Sequence, residues 1–514
     1  MRLNSRLIGA AGASLVLFIG SSSTARAGGF ISATGSAPDE GSSDNLTYQF
    51  AENAGTTFRT WQWLGGTNAA GDSIPGGGID TEIEVFNSSN VSVDYNDDIG
   101  PGNRDSMLSD TGTGVTFMPA IGPGQFRLKL NKVEFTNPGD GRWALDAVRP
   151  TTTIKLVARS ATASALQSLK FGSTSASPAA PGDAEVLVSS ASQALQVIGP
   201  VDVRNGGALR VSNGTFSAGT LHVSSSALAE ITGGNTSISS QLAIDSGGSM
   251  TFAGGSLHGG NIVLNGGQLL LTSGGNKLLR GFTLTTSGGG KADLSDNDMQ
   301  LSGATLASVI SQIVSARNGG AWDGPAGITS SAAAANANHT TTLGVLSGSE
   351  YASASGTTTF DGQATSSGDV LVKYTWNGDA NFDGRVTFDD YVKIDTGFNT
   401  HLTGWLNGDF NYSGAVNFDD YVLIDIAFNQ QNGTLGRAMD WISGDDRSGS
   451  GRTDFGELSR AATGVSQVID HLQQFGPSYG AAFLAAVPEP ISVTLLGVPA
   501  LAGVFHRRLR PRAR

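Results

Sequence analysis

Twelve residues from Asp379 onward alternate oxygen-bearing and filler side chains in a pattern that suits one hard cation. Asp379, Asn381, Asp383, Thr387 and Asp390 stand at positions 1, 3, 5, 9 and 12 of this run, with Gly384 at 6, Val386 at 8 and Arg385 at 7 offering its carbonyl. Calcium takes about six to eight oxygen ligands, needs a sharp turn in the middle of such a loop, and gains rigidity from an apolar anchor behind it. Thirty residues on, Asp409, Asn411, Ser413, Ala415, Asn417 and Asp420 repeat the pattern around Gly414 and Val416. Ser413 replaces a carboxylate, so the second site is expected to be the weaker. A third, degenerate copy places Asp446, Ser448, Ser450, Gly451, Asp454 and Glu457 at positions 1, 3, 5, 6, 9 and 12, with Thr453 where an apolar residue belongs.

The elements that must hold these loops are repeated as well. Between Asn377–Asn399 and Asn407–Asn429, 15 of 23 positions are identical, so the unit of duplication is a loop with its following helix. Those helices carry Tyr391, Ile394 and Phe398, then Tyr421, Ile424 and Phe428. Two loop-helix units in tandem resemble a type I dockerin, the calcium-dependent module that docks onto cohesin domains in polysaccharide-degrading assemblies. The resemblance implies that Asp379, Asn381, Asp383 and Asp390 ligate one Ca2+ and Asp409, Asn411, Ser413 and Asp420 a second. It also implies a cohesin-like or other surface protein as partner. The chain departs from the dockerin pattern at Phe388-Asp389 and Phe418-Asp419, and Asp395-Thr396 and Asp425-Ile426 replace the Lys-Arg pair of the helices. About two ions are expected, with a third if the degenerate loop binds.

Both ends of the chain read as export signals. Arg2 and Arg6 precede an apolar run, Leu7 to Gly20, and Ala25-Arg26-Ala27 gives the small-x-small pattern of a cleavage site, so the mature chain is expected to start near Gly28. At the other end Pro488, Glu489 and Pro490 precede an apolar stretch, Ile491 to Phe505, and five arginines. That run is short of the roughly 20 residues of a full span, but the arginines favour the cytoplasmic side and suit a stop-transfer anchor. Its order and position resemble the PEP-CTERM sorting signal of exopolysaccharide-producing bacteria, whose tail a membrane protease recognises as the protein is passed outside. The competing reading is an ordinary anchor that is never cut. Either places the protein at the cell envelope, on the cell surface or in the extracellular space, with the sorting helix in the membrane before processing.

Composition agrees with an exported chain and excludes some partners. With 72 Gly and no Cys among 514 residues, stability must come from a repetitive backbone ladder, bound ions, or both. The formal charge of -13 becomes -21 once the three leader arginines and the five tail arginines are set aside. Such a balance disfavours nucleic acid and anionic membranes and suits calcium or a neutral extracellular polysaccharide.

The rest of the chain is expected to be mainly β. Residues 28–195 carry strand-like runs at Glu82 to Phe86, Gln125 to Leu130, Thr153 to Val157 and Glu185 to Val188, separated by Gly, Pro, Asn and Asp clusters. Residues 196–375 contain a repeat of about 20 residues: Val203, Val223, Ile244 and Leu264, each followed by a small-residue turn and then by Leu209, Leu228, Met250 and Leu269. This period predicts a parallel β-helix-like solenoid, with a regular β-sandwich as the competing fold. It also resembles the Gly-rich passenger-type repeats of bacterial surface proteins. A helix from Thr305 to Ala316 and a strand from Val370 to Tyr374 are expected to close it. The dockerin-like loops occupy 376–432, the third loop and a helix from Leu458 to Phe475 occupy 433–486, and the sorting signal is 487–514.

The function expected is a non-catalytic structural or adhesion protein of the cell surface or matrix. A polysaccharide lyase or hydrolase on a β-helix is the runner-up, but Asp202, Glu230 and Asp245 fall in different coils and His222 and His258 stand apart, so no carboxylate pair emerges. A carbohydrate-binding unit in 28–195, with Trp61, Trp63 and Phe86 as a platform, is the third reading.

Overall fold

The computed structural model describes residues 28–487, except 37–42, 52–53, 62–64, 77–78, 100–103, 110–122, 136–141, 161–163, 176–180 and 444–454. Ala25 and Ala27, the loop residues Asp446, Ser448, Ser450 and Asp454, and Pro488, Glu489 and Pro490 lie outside the described residues.

Two long sheets, of 16 and 12 strands, face each other along the β part of the chain and share one hydrophobic core. Their centre is a parallel β-solenoid of about six turns. On one sheet Val203 lies beside Val223, Val223 beside Ile244, and Ile244 beside Leu264, as the period predicts, and all four are fully buried. On the facing sheet the column runs through Val186, Leu209, Ala229, Met250, Leu269, Ala292 and Ile328. Because side chains alternate between faces, each rung feeds the same phase into a continuous aliphatic ladder. The repeat predicts Leu228 in this second column, but Leu228 pairs with Ala208 and is half-buried, and Ala229 takes the inner place. A slip of one residue exchanges the faces of a strand, and a small inward residue conceals the true phase.

The turns stack with the rungs. Gly206, Gly247 and Gly266 have φ of 76°, 80° and 80°, and Ser226 takes the same left-handed conformation at 55°. The Gly206 N–H donates to the Ser226 carbonyl and the Ser226 N–H to that of Gly247, both at 3.0 Å. The left-handed turn is why the repeat spells glycine here.

Ahead of the solenoid the same sheets continue as an antiparallel sandwich. Strand Gly29–Ser36 lies between Arg142–Arg149 and Ser168–Ser173, antiparallel to both, and Ser168–Ser173 opens the parallel stack. Across the core, Ile154–Val157 is antiparallel to Ser43–Phe50 and parallel to Ala184–Val188. Parallel stacking therefore starts near residue 154, and neither sheet breaks at 195.

Helix α1 (Leu306–Arg317) closes the other end against strand Gly327–Thr329. The Thr305 side chain caps its start and left-handed Asn318 ends it. Short helices α2 (Ser331–Ala335) and α3 (Gly348–Ser355) follow. Strand Val370–Trp376 then pairs antiparallel with Asp298–Leu301 and Thr341–Ser347, which covers the parallel edge of the last rung. Trp376 leads straight into the first acidic loop.

Beyond it α4 (Phe388–Thr400), α5 (Phe418–Gln431), α6 (Leu435–Ser443), α7 (Phe455–Phe475) and α8 (Pro477–Ala486) build a second core around Trp405, Tyr421, Val468 and Tyr479. The sequence anticipates α7 but neither α6 nor α8. Among the described residues no helix is long and apolar enough to cross a membrane.

Candidate metal centre

The two acidic loops fold alike because each folds around its first and last carboxylates. In the first, Asp379 accepts the N–H groups of Asp383 and Gly384 at 3.1 and 3.0 Å, and Asp390 accepts those of Ala380 and Thr387 at 2.9 and 2.8 Å. In the second, Asp409 accepts from Ser413 and Gly414 at 2.9 and 3.0 Å, and Asp420 from Phe410 and Asn417 at 2.9 and 3.0 Å. Residue 4 of each loop, Phe382 or Tyr412, is left-handed at φ 66° or 61°, and residue 6, Gly384 or Gly414, at 86° in both. Asn381 and Asn411 turn their side-chain oxygens onto the N–H two residues ahead, at 2.9 and 2.7 Å. Thr387 and Asn417 are the N-caps of α4 and α5, each in a capping box with the aspartate three residues on. Arg385 and Ala415 hold the exposed seventh position, and Ala415 accepts a hydrogen bond from the Ser413 hydroxyl at 3.0 Å.

Asp379, Asp390 and Asp420 are fully buried and Asp409 is 4% exposed, yet among the described residues no basic side chain forms a salt bridge with any of them; Arg317 acts on Asp409 and Asp420, and Lys373 on Asp379, only at longer range. Burial pushes Asp379 and Asp420 up to about 7 and Asp390 up to about 6, against the pull of their backbone donors. Asp409 is raised by the same cause. Buried carboxylates without a salt-bridged partner are costly unless protonated or joined by a cation, and oxygen-only donors suit Ca2+. At the ligand positions the first loop has three carboxylates, Asp379, Asp383 and Asp390, and the second two, Asp409 and Asp420.

The repeats are also locked together by exchanged contacts. The Tyr391 hydroxyl donates to Asp425 at 2.6 Å, and the Tyr421 hydroxyl, thirty positions on, donates to Asp395 at 2.7 Å. A side chain on Gly378 would collide with Ile424, and one on its counterpart Gly408 with Ile394. Each loop is thus seated on the other repeat's helix. The symmetry ends outside the pair. Val422 on α5 is 3% exposed, while its counterpart Val392 on α4 is 44% exposed and neighbouring Phe388 73%. Helices α6, α7 and α8 all pack on α5, and α7 also reaches α4, with Phe475 against Phe398 at 5.6 Å and His471 against Tyr391 at 6.2 Å between ring centres. Asp425, where the dockerin pattern has a basic residue, is fully buried and also accepts His471 Nδ1 at 2.6 Å and the Tyr479 hydroxyl at 2.5 Å.

Elsewhere the structure departs from expectation in informative ways. Glu457 lies in the first turn of α7, where a twelfth loop residue belongs. His222 does not stand apart: its Nε2 lies 2.6 Å from Asp245 on the next rung. Trp61 and Phe86 each carry a guanidinium on the ring face, from Arg59 at 3.6 Å and Arg127 at 4.0 Å, and Trp63 lies outside the described residues. Among the described residues three acidic side chains bring oxygens within 4.8 Å of one another only at Asp80, Asp97 and Asp98, so the first loop spreads its three carboxylates more widely. Asp80 is paired with Arg104 at 2.9 Å. No spacing rule points to that cluster, because it joins a strand to a bend 17 and 18 residues away. No protein-family model matches the chain, and no curated protein matches it.

Proposed function

We propose that this is a non-catalytic protein of the cell surface or extracellular matrix whose helical module is folded and held by calcium. The observation that carries the reading is the set of four buried carboxylates, two in each repeated loop, none of them in a salt bridge among the described residues. Asp379, Asn381, Asp383 and Asp390, with the Arg385 carbonyl and Thr387, would hold one Ca2+. Asp409, Asn411, Ser413 and Asp420, with the Ala415 carbonyl and Asn417, would hold the other. The ion would place a positive charge in contact with these acids and convert their burial from a cost into folding energy.

The module would act as a dockerin-like connector to a cohesin-like or other surface protein, with the solenoid as a stalk within extracellular polysaccharide. Asp425 and its neighbours on α5 are enclosed by the chain's own helices, so α4, with Phe388 and Val392 exposed, is the repeat left to meet a partner. The leader and the Pro488-Glu489-Pro490 tail would bring the protein to the envelope. The non-catalytic reading is supported by the solenoid acids, which are committed to neighbours: Asp202 lies 3.5 Å from Lys170, Glu230 pairs with Arg210, and Asp245 with His222.

Calcium titration of the metal-stripped full chain, followed by calorimetry and circular dichroism, tests this. Uptake of about two ions with a gain in helical signal is expected. No uptake at millimolar calcium would remove the reading.

A further inference from the structure

The strand that covers the last rung of the solenoid sets a lysine against a buried aspartate. Met299 lies opposite Val372 in this antiparallel pair, so Asp298 and Lys373 are the next two residues to face each other. Lys373 Nζ donates to Asp298 Oδ2 at 2.8 Å, and the Tyr374 N–H donates to Oδ1 of the same carboxylate, also at 2.8 Å. A second acid completes the group: Asp361 Oδ1 lies 3.7 Å from Lys373 Nζ, and its side chain is hydrogen-bonded to that of Asp298. Asp361 takes a left-handed turn in the hairpin of Thr359–Phe360 and Gln363–Ala364, which Gln300 and Arg280 tie to the sheet at 2.9 and 3.0 Å. The ring of buried Phe360 lies 5.4 Å from Lys373 Nζ.

An amine held against a carboxyl group away from water is poised for amide formation. In water hydrolysis wins, but well-oriented groups reach effective concentrations of about 10⁵ M or more, and a shielded site keeps water out. Burial pushes Asp298 up to about 7, and the hydrogen bond with Asp361 acts in the same direction, so the neutral carboxyl group that an amine attacks is accessible. Burial also disfavours the Lys373 ammonium, but Asp298, Asp361 and Asp379 outweigh it and raise its pKa, so the amine is freed only when its proton passes to a carboxylate in contact. The Tyr374 N–H already holds Oδ1, where negative charge develops as Nζ adds to Cγ. Lys155 and Lys170 also touch carboxylates, at 2.6 and 2.8 Å, but Arg210 and Arg204 share those acids.

We propose that Lys373 and Asp298 join spontaneously in an isopeptide bond, with Asp361 carrying the protons. Starting from ammonium and carboxylate, the Nζ–Cγ bond forms and the Cγ–Oδ2 bond breaks. Two of the three ammonium protons reach Oδ2 through Asp361 and leave with it as one water, and Asp361 returns to its starting state. No oxidant or cofactor is needed. The bond spans 75 positions and staples the strand that leads into the first acidic loop to the last rung, in a chain with no cysteine for a disulfide. It does not depend on the calcium reading.

The test is peptide mapping of the full chain by tandem mass spectrometry, with folding checked by circular dichroism. A branched tryptic peptide joining the segments of Lys373 and Asp298, one water lighter than their sum, is expected from the parent, with cleavage after Lys373 lost. Lys373→Arg keeps the charge pair and Asp298→Ala removes the acceptor. Neither should give the branched peptide, and both should run more slowly than the parent on a denaturing gel, because the parent's closed loop stays compact. Asp361→Asn, in an exposed turn, is expected to form the bond at least about 100-fold more slowly, read as the branched fraction against time after translation is stopped. Should Lys373→Arg or Asp298→Ala fail to fold, the parent and Asp361→Asn carry the test. Linear peptides alone from the folded parent overturn the proposal, as does a water loss confined to a linear peptide at Asp298, which is a succinimide. Bonding in Asp361→Asn as fast as in the parent overturns it too.

Discussion

The Tyr391 hydroxyl of one repeat donates to Asp425 of the other at 2.6 Å, and the duplicated pair, Tyr421 and Asp395, makes the same bond in reverse at 2.7 Å. The two bonds are equal in geometry but not in setting. Asp425 is fully buried and serves three donors, while Asp395 is exposed. Asp425→Ala would strand Tyr391, His471 and Tyr479 and is expected to cost about 3–5 kcal/mol. Asp395→Ala is expected to cost about 1 kcal/mol or less. Denaturant unfolding of both variants beside the parent measures the difference.

The same aspartate sets a pH dependence. Burial disfavours the charged His471 ring, but the hydrogen bond and charge of Asp425 outweigh it and raise the pKa above the usual histidine value. The resulting stability is full below about pH 6.5 and is lost as pH rises through the folded-state value. With calcium saturating, the unfolding midpoint is expected to fall across that window in the parent. In His471→Gln the slope should flatten; an equal slope in both would show that the ring does not carry it.

The loop acids predict opposite trends with and without metal. Burial raises Asp379 and Asp420 to about 7 and Asp390 to about 6 in the metal-free chain. Their folded values exceed the unfolded ones, so the metal-free module is expected to be most stable in acid and to weaken as pH rises through 6 to 7. A cation requires the ionised forms, so the stabilisation due to calcium should grow over the same interval. Thermal melts with chelator and with calcium, from about pH 5 to 8, are expected to diverge.

Two pairs of glycines separate contact from conformation. Gly378 and Gly408, at φ 102° and 104°, face Ile424 and Ile394 of the opposite repeat, so alanine there meets both a strained backbone and an occupied space. Gly384 and Gly414 share φ 86° but have nothing within 4 Å of an added Cβ. Alanine at 384 or 414 is expected to cost about 1–2 kcal/mol, and at 378 or 408 clearly more.

In the solenoid, alternation can be tested within one strand. Leu269 and Leu271 are 1% and 0% exposed and Leu270 between them is 40% exposed. Leu269→Ala is expected to cost about 2–5 kcal/mol and Leu270→Ala about 0.5 kcal/mol or less, read from unfolding midpoints.

What could be read from the sequence was whatever a short window contains. Each acidic loop draws its candidate ligands from twelve consecutive residues, so spacing alone selected them. The column Val203, Val223, Ile244 and Leu264 was legible because turns of similar composition recur with it. Leu228 was misplaced for the same reason in reverse: the inward residue is Ala229, too small to stand out, and successive rungs from Val186 to Ala292 are 19 to 23 residues apart. The pairing of Asp425 with His471, 46 residues away, was invisible. Tertiary packing alone assembles it, and nothing local marks either side chain.

The placement of strand Gly29–Ser36 also fixes an order in time. Each rung finds its neighbour about 20 residues along the chain, whereas this strand must wait for residues 142–149 and 168–173, and the contact between Thr34 and Ser168 spans 134 residues. Closing long loops is slow, and chains rich in distant pairings fold slowly. A polypeptide emerging from its first residue onward would therefore keep its leading strand unpaired while much of the sandwich followed it out. The rungs could zip locally as they appeared, so assembly would begin in the middle and finish at the beginning.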